Sequence, residues 1–217
     1  SFVITVTGTN DAPVATFDAQ QDVTEGSGAH AGQLTSTDVD NNATATFADT
    51  TGGIAGLSIE ANGSFSFDTD DVTYDVLDEG DTQTINVTYS VTDEHGATGN
   101  NAFDIVITGT NDAPEATFVT AQAVNEDDAS ITDTLTATDI DADDTLTFSI
   151  DTPVAGLSLL GADWTFDPTD DAYQALEQGE TQSVTVNYTV TDSQGASDSE
   201  SFVITVTGTN DAPVATF

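Results

Sequence analysis

The sequence contains no lysine and no arginine among its 217 residues, whereas aspartate and glutamate together number 39. The formal net charge is −39 at pH 7, with two neutral histidines. A charge of this size favours solubility but repels the compact state, and no basic side chain is available to offset it. We therefore expect bound cations, high salt or both. Nucleic acid and anionic membrane surfaces are excluded as partners, because both are bound through Lys or Arg.

Cysteine is also absent, so the fold cannot depend on disulfide bonds. No apolar run approaches the ~20 residues that a membrane-spanning helix needs, and we expect no direct membrane insertion. High net charge favours disorder. However, 37% of the residues are hydrophobic, and they lie in short alternating runs, which predicts a folded protein.

An internal repeat organises the sequence. Residues 1–17 return unchanged as 201–217, and the heptapeptide TGTNDAP occurs at 7–13, 108–114 and 207–213. Two related units of about one hundred residues, a usual domain size, lie between these copies. We predict the last strand of a preceding repeat at 1–10, a first repeat at 11–110, a second at 111–209 and the start of a following repeat at 210–217. Residues 1–8 would then be an orphan strand with an unpaired edge.

Alternation of apolar and polar residues predicts short β-strands separated by Gly, Asn and Asp turns. In the first unit they cover 33–37, 43–47, 56–59, 64–67, 82–91 and 102–108. In the second unit they cover 132–138, 145–150, 156–160, 164–166, 182–190 and 201–207. Only 72–77 and 172–176 favour a helical turn. The sequence therefore predicts an all-β protein of two tandem Ig-like antiparallel β-sandwich domains.

The inward-facing positions of these strands predict the core of each unit. In the first unit they are Phe47, Leu57, Phe65, Phe67, Leu77, Val87, Tyr89, Val91, Phe103, Ile105 and Ile107. In the second unit they are Phe148, Leu157, Trp164, Phe166, Leu176, Val186, Tyr188, Val190, Phe202, Ile204 and Val206. The single tryptophan occupies the position of Phe65, which indicates core packing rather than a platform for carbohydrate stacking.

Acidic residues recur at the same strand ends in both units. A glutamate precedes the second strand, and an acidic loop, LDEGD at 77–81 or LEQGE at 176–180, precedes the long strand. In an antiparallel sandwich both lie at one end of the domain, which we call the far end. A D-x-D motif, a V-T-D turn and the entering chain lie at the other, near end. The far end of the first unit should meet the near end of the second at 111–112.

Converging carboxylates need neutralisation, and Ca²⁺ takes six to eight oxygen ligands, whereas Mg²⁺ retains its waters. A single Asp or Asn of this kind is typical of an ordinary turn, but recurrence in both units favours metal binding. The candidate ligands at the middle linker are Glu25, Asp78, Glu79, Asp81, Asn111, Asp112, Asp139, Asp141 and Asp192. The outer linkers hold incomplete sets, namely Asn10, Asp11, Asp38, Asp40, Asp93, Glu126, Glu177, Glu180, Asn210 and Asp211.

Several motifs resemble a known family. FDPTDDAYQALEQGETQ at 166–182, YTVTD at 188–192 and the GTNDAPV linker are similar to VCBS-type repeats of bacterial RTX adhesins. The order of the acidic motifs is similar to that of cadherin repeats. The resemblance covers nearly all of residues 12–210, and it implies cadherin-like domains joined end to end with up to three Ca²⁺ ions between successive domains.

The resemblance also implies roles for single residues. Glu25 resembles a glutamate shared by two ions, Asp78 with Glu79 or Asp81 an acidic pair, and Asp112 the linker aspartate. The residues that resemble the ligands of the third ion are Asn111, Asp139, Asp141 and Asp192. Departures at LDEGD, at Glu177 for Asp and at Ala113 for Asn imply fewer ions or a shifted site. We expect strong occupancy only at the middle linker, which has both neighbouring repeats.

These features favour a non-catalytic extender, in which linkers stiffened by Ca²⁺ hold a distal adhesive tip away from a cell. The resemblance implies a secreted, cell-surface adhesin in biofilm or host attachment, with adjacent repeats of the same chain as partners. A Ca²⁺-dependent module for a glycan or protein ligand and an S-layer or filament subunit are the alternatives. An enzyme is disfavoured, because neither histidine recurs and no catalytic triad or G-x-S-x-G motif is present.

Overall fold

A computed structural model of the chain describes residues 1–117, 119–141 and 144–213. Part of the predicted start of a following repeat, 214–217, lies outside the described residues. By internal contacts the chain divides into two units, Ser1–Thr110 and Asn111–Phe217. No helix among the described residues is long and apolar enough to cross a bilayer.

The first unit is built from nine strands. They are β1 (Val14–Ala15), β2 (Gln21–Thr24), β3 (Ala29–Gln33), β4 (Ser36–Thr37), β5 (Thr46–Asp49), β6 (Leu57–Ile59), β7 (Ser64–Asp68), β8 (Thr82–Thr92) and β9 (Thr98–Thr108). One sheet has the order β2-β9-β8-β5 and the other β3-β7-β6, with β1 paired to β4 beside them. The pairs are antiparallel except β2 with β9, which is parallel.

The second unit repeats this arrangement strand for strand. Its strands are β10 (Glu115–Ala116), β11 (Gln122–Asn125), β12 (Ile131–Thr134), β13 (Ala137–Thr138), β14 (Thr147–Ile150), β15 (Leu157–Leu160), β16 (Asp163–Phe166), β17 (Thr181–Thr191) and β18 (Ser197–Thr207). The sheet orders are β11-β18-β17-β14 and β12-β16-β15. The predicted all-β fold of two tandem Ig-like sandwiches is confirmed.

The strands differ from the prediction mainly at the start of each unit. The predicted strand at 33–37 divides into β3 and β4, because the buried Leu34 turns into the core between them. Alternation also missed β1 and β2 with their counterparts β10 and β11, which are two to four residues long. Residues 1–13 form no strand with the described part of the chain, and Phe2, Val3, Ile4 and Val6 are 74–89% exposed.

Each sandwich encloses its own aromatic core. The predicted core residues are buried, except that Leu57, Leu77, Phe148, Leu157 and Leu176 are partly buried at its margin. Trp164 is fully buried and its ring centroid lies 5.0 Å from that of Phe202, so the predicted core role is confirmed. The cores also contain residues that were not predicted, namely Val23, Leu34 and Tyr74 in the first and their counterparts Val124, Leu135 and Tyr173 in the second.

Buried tyrosine hydroxyls fasten irregular segments to these cores. Tyr89 on β8 accepts a hydrogen bond from the Phe17 N–H at 2.9 Å and donates one to the Phe17 carbonyl at 2.8 Å. Tyr188 donates equivalently to the Thr117 carbonyl at 2.6 Å. The segment that follows the first short strand is therefore held against the long central strand, which fixes the chain entry at the near end of each unit.

Candidate metal centres at the strand ends

Six acidic or amide residues from four separate segments meet at the near end of the second unit. Two precede β10, two lie just after β13, one lies just before β14 and one follows β17. These residues, Asn111, Asp112, Asp139, Asp141, Asp144 and Asp192, are called the second near cluster below.

Local turns hold the carboxylates of the second near cluster in place. Asp141 donates its N–H to Asp139 Oδ1 at 3.2 Å, which folds the D-x-D motif on itself. Asp192 Oδ1 accepts the N–H groups of Gln194 and Ala196 at 2.9 and 2.8 Å, and also that of Gly195. Gly195 has a φ of +100°, which glycine adopts without steric strain. The V-T-D-x-x-G turn therefore presents Asp192 Oδ2 away from its own loop.

The linker residues are attached to the second unit. Asn111 Nδ2 donates to Asp192 Oδ2 at 2.9 Å, and the Asp112 N–H donates to Asp141 Oδ2 at 2.8 Å. Both contacts use donors of the linker and acceptors of the domain that follows it. The Asn-Asp pair of TGTNDAP is therefore part of the near end of the repeat that it precedes.

Several oxygens of the second near cluster are buried without a hydrogen-bond donor. They are Asn111 Oδ1, Asp139 Oδ2, Asp141 Oδ1 and Asp144 Oδ2. Three of the side chains, Asp139, Asp144 and Asp192, each offer a carboxylate oxygen within 4.8 Å of the others. Because the chain has no Lys or Arg, no side chain of its own can neutralise this group at neutral pH. A buried charge without a partner is strongly unfavourable.

The pKa values of two members differ in direction. Burial raises the pKa of Asp141, which is only 4% exposed, and the charges of Asp112, Asp139 and Asp144 raise it further. Burial also acts to raise the pKa of Asp192, but the hydrogen bonds from Asn111 and from the turn N–H groups outweigh it and hold the pKa below its ordinary value. The surroundings therefore stabilise the ionised form of Asp192 and destabilise that of Asp141.

The donor set fits a hard divalent cation. Every unpartnered atom is a carboxylate or amide oxygen, as Ca²⁺ prefers, and no Cys or His belongs to the cluster, as a zinc site would favour. The four unpartnered oxygens and Asp192 approach the six to eight ligands of Ca²⁺ more closely than the one or two carboxylates typical of Mg²⁺. Calcium would neutralise the repelling carboxylates that no basic residue can reach.

The first unit carries a shorter version of this arrangement, the first near cluster, formed by Asn10, Asp11, Asp38, Asp40 and Asp93. Its two linker contacts are the same: Asn10 Nδ2 donates to Asp93 Oδ2 at 2.9 Å, and the Asp11 N–H donates to Asp40 Oδ2 at 2.8 Å. Its one buried oxygen without a donor is Asp38 Oδ2. The hydrogen bond from Asn10, opposed by burial, lowers the pKa of Asp93.

At the far end, each unit places a buried glutamate beside the end of its last strand. Glu25 is 4% exposed, and its Oε2 accepts the Thr110 N–H at 3.0 Å. Glu126 is fully buried, its Oε1 accepts the Thr209 N–H at 2.7 Å, and its Oε2 is buried without a donor. Backbone hydrogen bonds bring the acidic loops to the same strand ends, through Gly109 N to Asp81 O and Gly208 N to Glu180 O, both 2.8 Å.

The glycine of TGTNDAP is required by this far-end packing. A Cβ added at Gly109 would lie 2.3 Å from the Leu77 carbonyl oxygen, and one at Gly208 would lie 2.2 Å from that of Glu177. Gly8, in the first copy, has nothing within 4 Å of the same position. The heptapeptide therefore supplies a glycine to the unit that ends and an Asn-Asp pair to the unit that begins.

The predicted ligands fall into separate groups. Asn111, Asp112, Asp139, Asp141 and Asp192 come together, as do Asn10, Asp11, Asp38, Asp40 and Asp93. The loop residues Asp78, Glu79 and Asp81 lie on the turn that reaches the last strand beside Glu25, and Glu177 and Glu180 lie on the equivalent turn beside Glu126. Glu180 is exposed and accepts the Glu177 N–H at 3.0 Å, and Asn210 and Asp211 are exposed. That any of them binds metal stays a prediction.

One member of the second near cluster, Asp144, was not among the predicted ligands. The prediction relied on acidic positions that recur in both units, and Ala43 occupies the corresponding position of the first unit. The sequence signal that could have identified Asp144 is its position, five residues after the first aspartate of the D-x-D motif. A criterion of recurrence discards any ligand that only one repeat possesses.

Comparison with solved structures places the fold among cadherin domains. PcdhgB3 EC1–4 matches with a TM-score of 0.61 and 15% identity over 91% of this chain, and the chain spans 50% of that structure's length. Mouse cadherin-23 EC22–24 matches with a TM-score of 0.55 and 18% identity over 91% of this chain, and the chain spans 65% of that structure's length. Human mucin-like protocadherin EC1–2 matches with a TM-score of 0.54 and 19% identity over 90% of this chain, and the chain spans 98% of that structure's length. At these identities the similarity shows the fold.

A search of curated protein sequences found no match. Cadherin-like and bacterial Ig domains are typically extracellular and non-catalytic, and tandem copies suggest an adhesion-type repeat. The family model described as a bacterial Ig domain matches residues 10–106 and again residues 111–205, which together form most of the sequence. The chain therefore belongs to the bacterial Ig domain family, as two tandem cadherin-like copies.

Proposed function

We propose that the chain is a pair of non-catalytic extender repeats from a large secreted cell-surface adhesin of the RTX type. In this proposal Ca²⁺ bound by the acidic clusters of the linkers stiffens the series of repeats, and the repeats hold a distal adhesive tip away from the cell for attachment or biofilm formation. Adjacent repeats of the same chain are the immediate partners. The adhesive ligand is bound by another part of the parent protein.

One observation carries the calcium part of this proposal. The second near cluster buries carboxylate oxygens without donors, in a chain that has no Lys or Arg to neutralise them. Such an arrangement costs folding free energy unless a cation compensates for it. Millimolar extracellular calcium suits modular sites with dissociation constants of about 10⁻⁴ to 10⁻³ M.

The stiffening follows from which residues the ion would hold. The linker pair Asn111 and Asp112 is hydrogen-bonded to Asp192 and Asp141 of the domain that follows. A cation bound by the same carboxylates would draw on the linker oxygens as well, and it would restrict the backbone torsions of the linker. Without the cation, repulsion among the carboxylates acts against the same contacts.

The extender role follows from the shape of each repeat. The two longest strands of each unit have 11 residues, which span about 36 Å at roughly 3.3 Å per residue. Chain entry and chain exit lie at opposite ends of these strands. Each added repeat would therefore extend the protein by a few nanometres.

Small-angle X-ray scattering tests the proposal. We expect the 217-residue chain to show a larger maximum dimension and a less flexible profile in millimolar CaCl₂ than in chelator. The control is NaCl of equal ionic strength with chelator, because salt alone screens repulsion between carboxylates. An unchanged maximum dimension in calcium, relative to that control, would refute the stiffening, and calorimetry without heat of binding would refute the calcium sites themselves.

A further inference from the structure

The two near clusters are not chemically equivalent. Besides the linker aspartates Asp112 and Asp11, the second contains the carboxylates of Asp139, Asp141, Asp144 and Asp192, whereas the first contains those of Asp38, Asp40 and Asp93. The difference is Asp144, whose counterpart in the first unit is Ala43. The two hydrogen bonds from the linker are the same at both near ends.

Asp144 is oriented towards the other carboxylates of the second near cluster. Its Oδ1 accepts a hydrogen bond from Ser193 Oγ at 2.6 Å, and the same hydroxyl also contacts Gln194 Oε1. Its Oδ2 is buried without a donor, and a carboxylate oxygen of Asp144 lies within 4.8 Å of oxygens from Asp139 and Asp192. The side chain is therefore arranged as a ligand with a supporting hydroxyl.

A second observation points to a cation at the same place. Asp141 is 4% exposed, and its Oδ1 is buried without a donor, although its Oδ2 accepts the Asp112 N–H at 2.8 Å. The Asp141 N–H donates to Asp139 Oδ1 at 3.2 Å, and Asp139 and Asp144 each offer a carboxylate oxygen within 4.8 Å of the other. A buried oxygen facing like charges needs a cation as partner.

The first unit has different residues at the positions of Asp144 and Ser193. Glu94 stands where the second unit has Ser193, and its Oε2 accepts the Thr44 N–H at 2.8 Å and Thr44 Oγ1 at 3.0 Å. Both bonds join Glu94 Oε2 to the segment that precedes β5, and the Ala43 side chain has no oxygen that could bind a cation. At this corner the first unit therefore has Glu94, whose carboxylate is bonded to Thr44, and it has no aspartate at the position of Asp144.

We propose that Asp144, held by Ser193, is a repeat-specific ligand that makes the near end of the second unit the higher-affinity Ca²⁺ site of the chain. The first near end then loads at higher calcium concentration. The proposal rests on the proposed function, because it assigns ranks to calcium sites that the proposed function requires. Affinity for Ca²⁺ rises with the number of ligand charges, and the second site has one more.

Calcium titration followed by two-dimensional amide NMR of the whole chain resolves the two sites. Gly195 lies in the turn that carries Asp192, and Gly96 lies in the equivalent turn that carries Asp93. We expect the Gly195 resonance to shift with a midpoint at least about tenfold lower in Ca²⁺ than that of Gly96, the scale on which ligand charge tunes such sites. Equal midpoints, or a lower midpoint for Gly96 than for Gly195, would overturn the proposal.

Substitutions identify the cause of the difference. D144N keeps an acceptor for Ser193 while it removes the charge, and we expect it to move the Gly195 midpoint about tenfold higher without moving that of Gly96. The double substitution A43D/E94S, which transfers the pair into the first unit, should lower the Gly96 midpoint. Asp171→Asn, an exposed aspartate in the turn after β16, is the control for net charge and should move neither.

The outcomes separate the two proposals. If neither resonance shifts on addition of Ca²⁺, the calcium part of the proposed function fails, and this inference fails with it. If both shift and D144N leaves the Gly195 midpoint unchanged, the ranking is overturned while calcium binding stands. A D144N chain with the unchanged amide spectrum in chelator would show that any change of midpoint is not the result of unfolding.

Discussion

Replacing Asp141 with asparagine should stabilise the second unit without calcium and reduce the further stabilisation that calcium brings. The asparagine side-chain oxygen can still accept the Asp112 N–H, as Asp141 Oδ2 does at 2.8 Å. The other atom becomes an NH₂ group, which cannot ligate a cation, in place of the buried Oδ1 that has no donor. The substitution therefore removes one ligand oxygen and one charge while it keeps the backbone contact.

In chelator we expect D141N to raise the melting temperature of the second unit. Burial and the neighbouring carboxylates raise the pKa of Asp141 in the folded state. The unfolded chain therefore releases this proton at lower pH than the folded chain, and ionisation at neutral pH favours unfolding. A neutral amide removes that contribution, whereas the lowered pKa of Asp192 is a separate, stabilising contribution.

Calcium should stabilise the D141N chain less than the unsubstituted chain. A site with a dissociation constant of about 10⁻⁴ to 10⁻³ M stabilises the folded unit at 10 mM Ca²⁺ by about 1.4 to 2.7 kcal/mol. A roughly tenfold weaker site would give about 0.4 to 1.4 kcal/mol. The loss of about 1 kcal/mol corresponds to a fall of about 4 to 8 °C in the calcium-induced rise of melting temperature for a domain of this size.

Tryptophan fluorescence reports this unfolding selectively. The chain has one tryptophan, and Trp164 is fully buried in the core of the second unit. The matched control is again Asp171→Asn, which makes the same change of charge at an exposed position. If D141N and the control give the same calcium-induced shift, Asp141 is not a ligand and the argument from its unpartnered oxygen is wrong.

Three further predictions concern the fold that positions these sites. Y89F removes both hydrogen bonds to Phe17 and should cost about 2 kcal/mol of unfolding free energy in denaturant titrations; a loss below about 0.5 kcal/mol would contradict it. G109A should cost about 1–3 kcal/mol, because its Cβ would meet the Leu77 carbonyl at 2.3 Å, whereas the matched G8A should have almost no effect. In a spectrophotometric titration the four tyrosines should ionise above pH 10.0, because burial raises the pKa of Tyr74, Tyr89, Tyr173 and Tyr188. The unfolded chain should ionise at lower pH, so the free energy of unfolding should fall as the pH rises past that value. Titration of the folded chain at the ordinary tyrosine pKa would show that the hydroxyls are accessible.

The core was predictable because alternation along a strand is a local property. The inward positions of β8 and β9, such as Val87, Tyr89 and Ile105, are read from the sequence alone and are fully buried in the fold. Leu34 and Tyr74 were missed although Leu34 lies within the predicted strand 33–37, and in the structure neither residue lies in a strand. Leu34 falls where the chain passes between two pairings, and Tyr74 lies in a turn and donates its hydroxyl to the Ala55 carbonyl at 2.9 Å.

The grouping of ligands was only partly predictable. Recurrence of the D-x-D and V-T-D motifs correctly indicated that Asp139, Asp141 and Asp192 share one end of a domain. The contact between Asn111 and Asp192 joins residues 81 positions apart, and only the pairing of β17 with its neighbours decides it. Asp144 was missed because its counterpart is Ala43, so comparison of the repeats removed the position that distinguishes them.

Residue order and composition alone reveal the repeat and predict the all-β class, most of the core and an external cation, of which the cation stays a prediction. These depend on residue periodicity and on the excess of carboxylates over basic groups, which no conformation alters. The sequence does not show which carboxylates face one another, which oxygens lack a donor or which unit the linker residues contact, and these are seen only in the folded chain. Those properties arise where strand ends distant in sequence meet, because burial and hydrogen bonding at each oxygen depend on every segment packed around it.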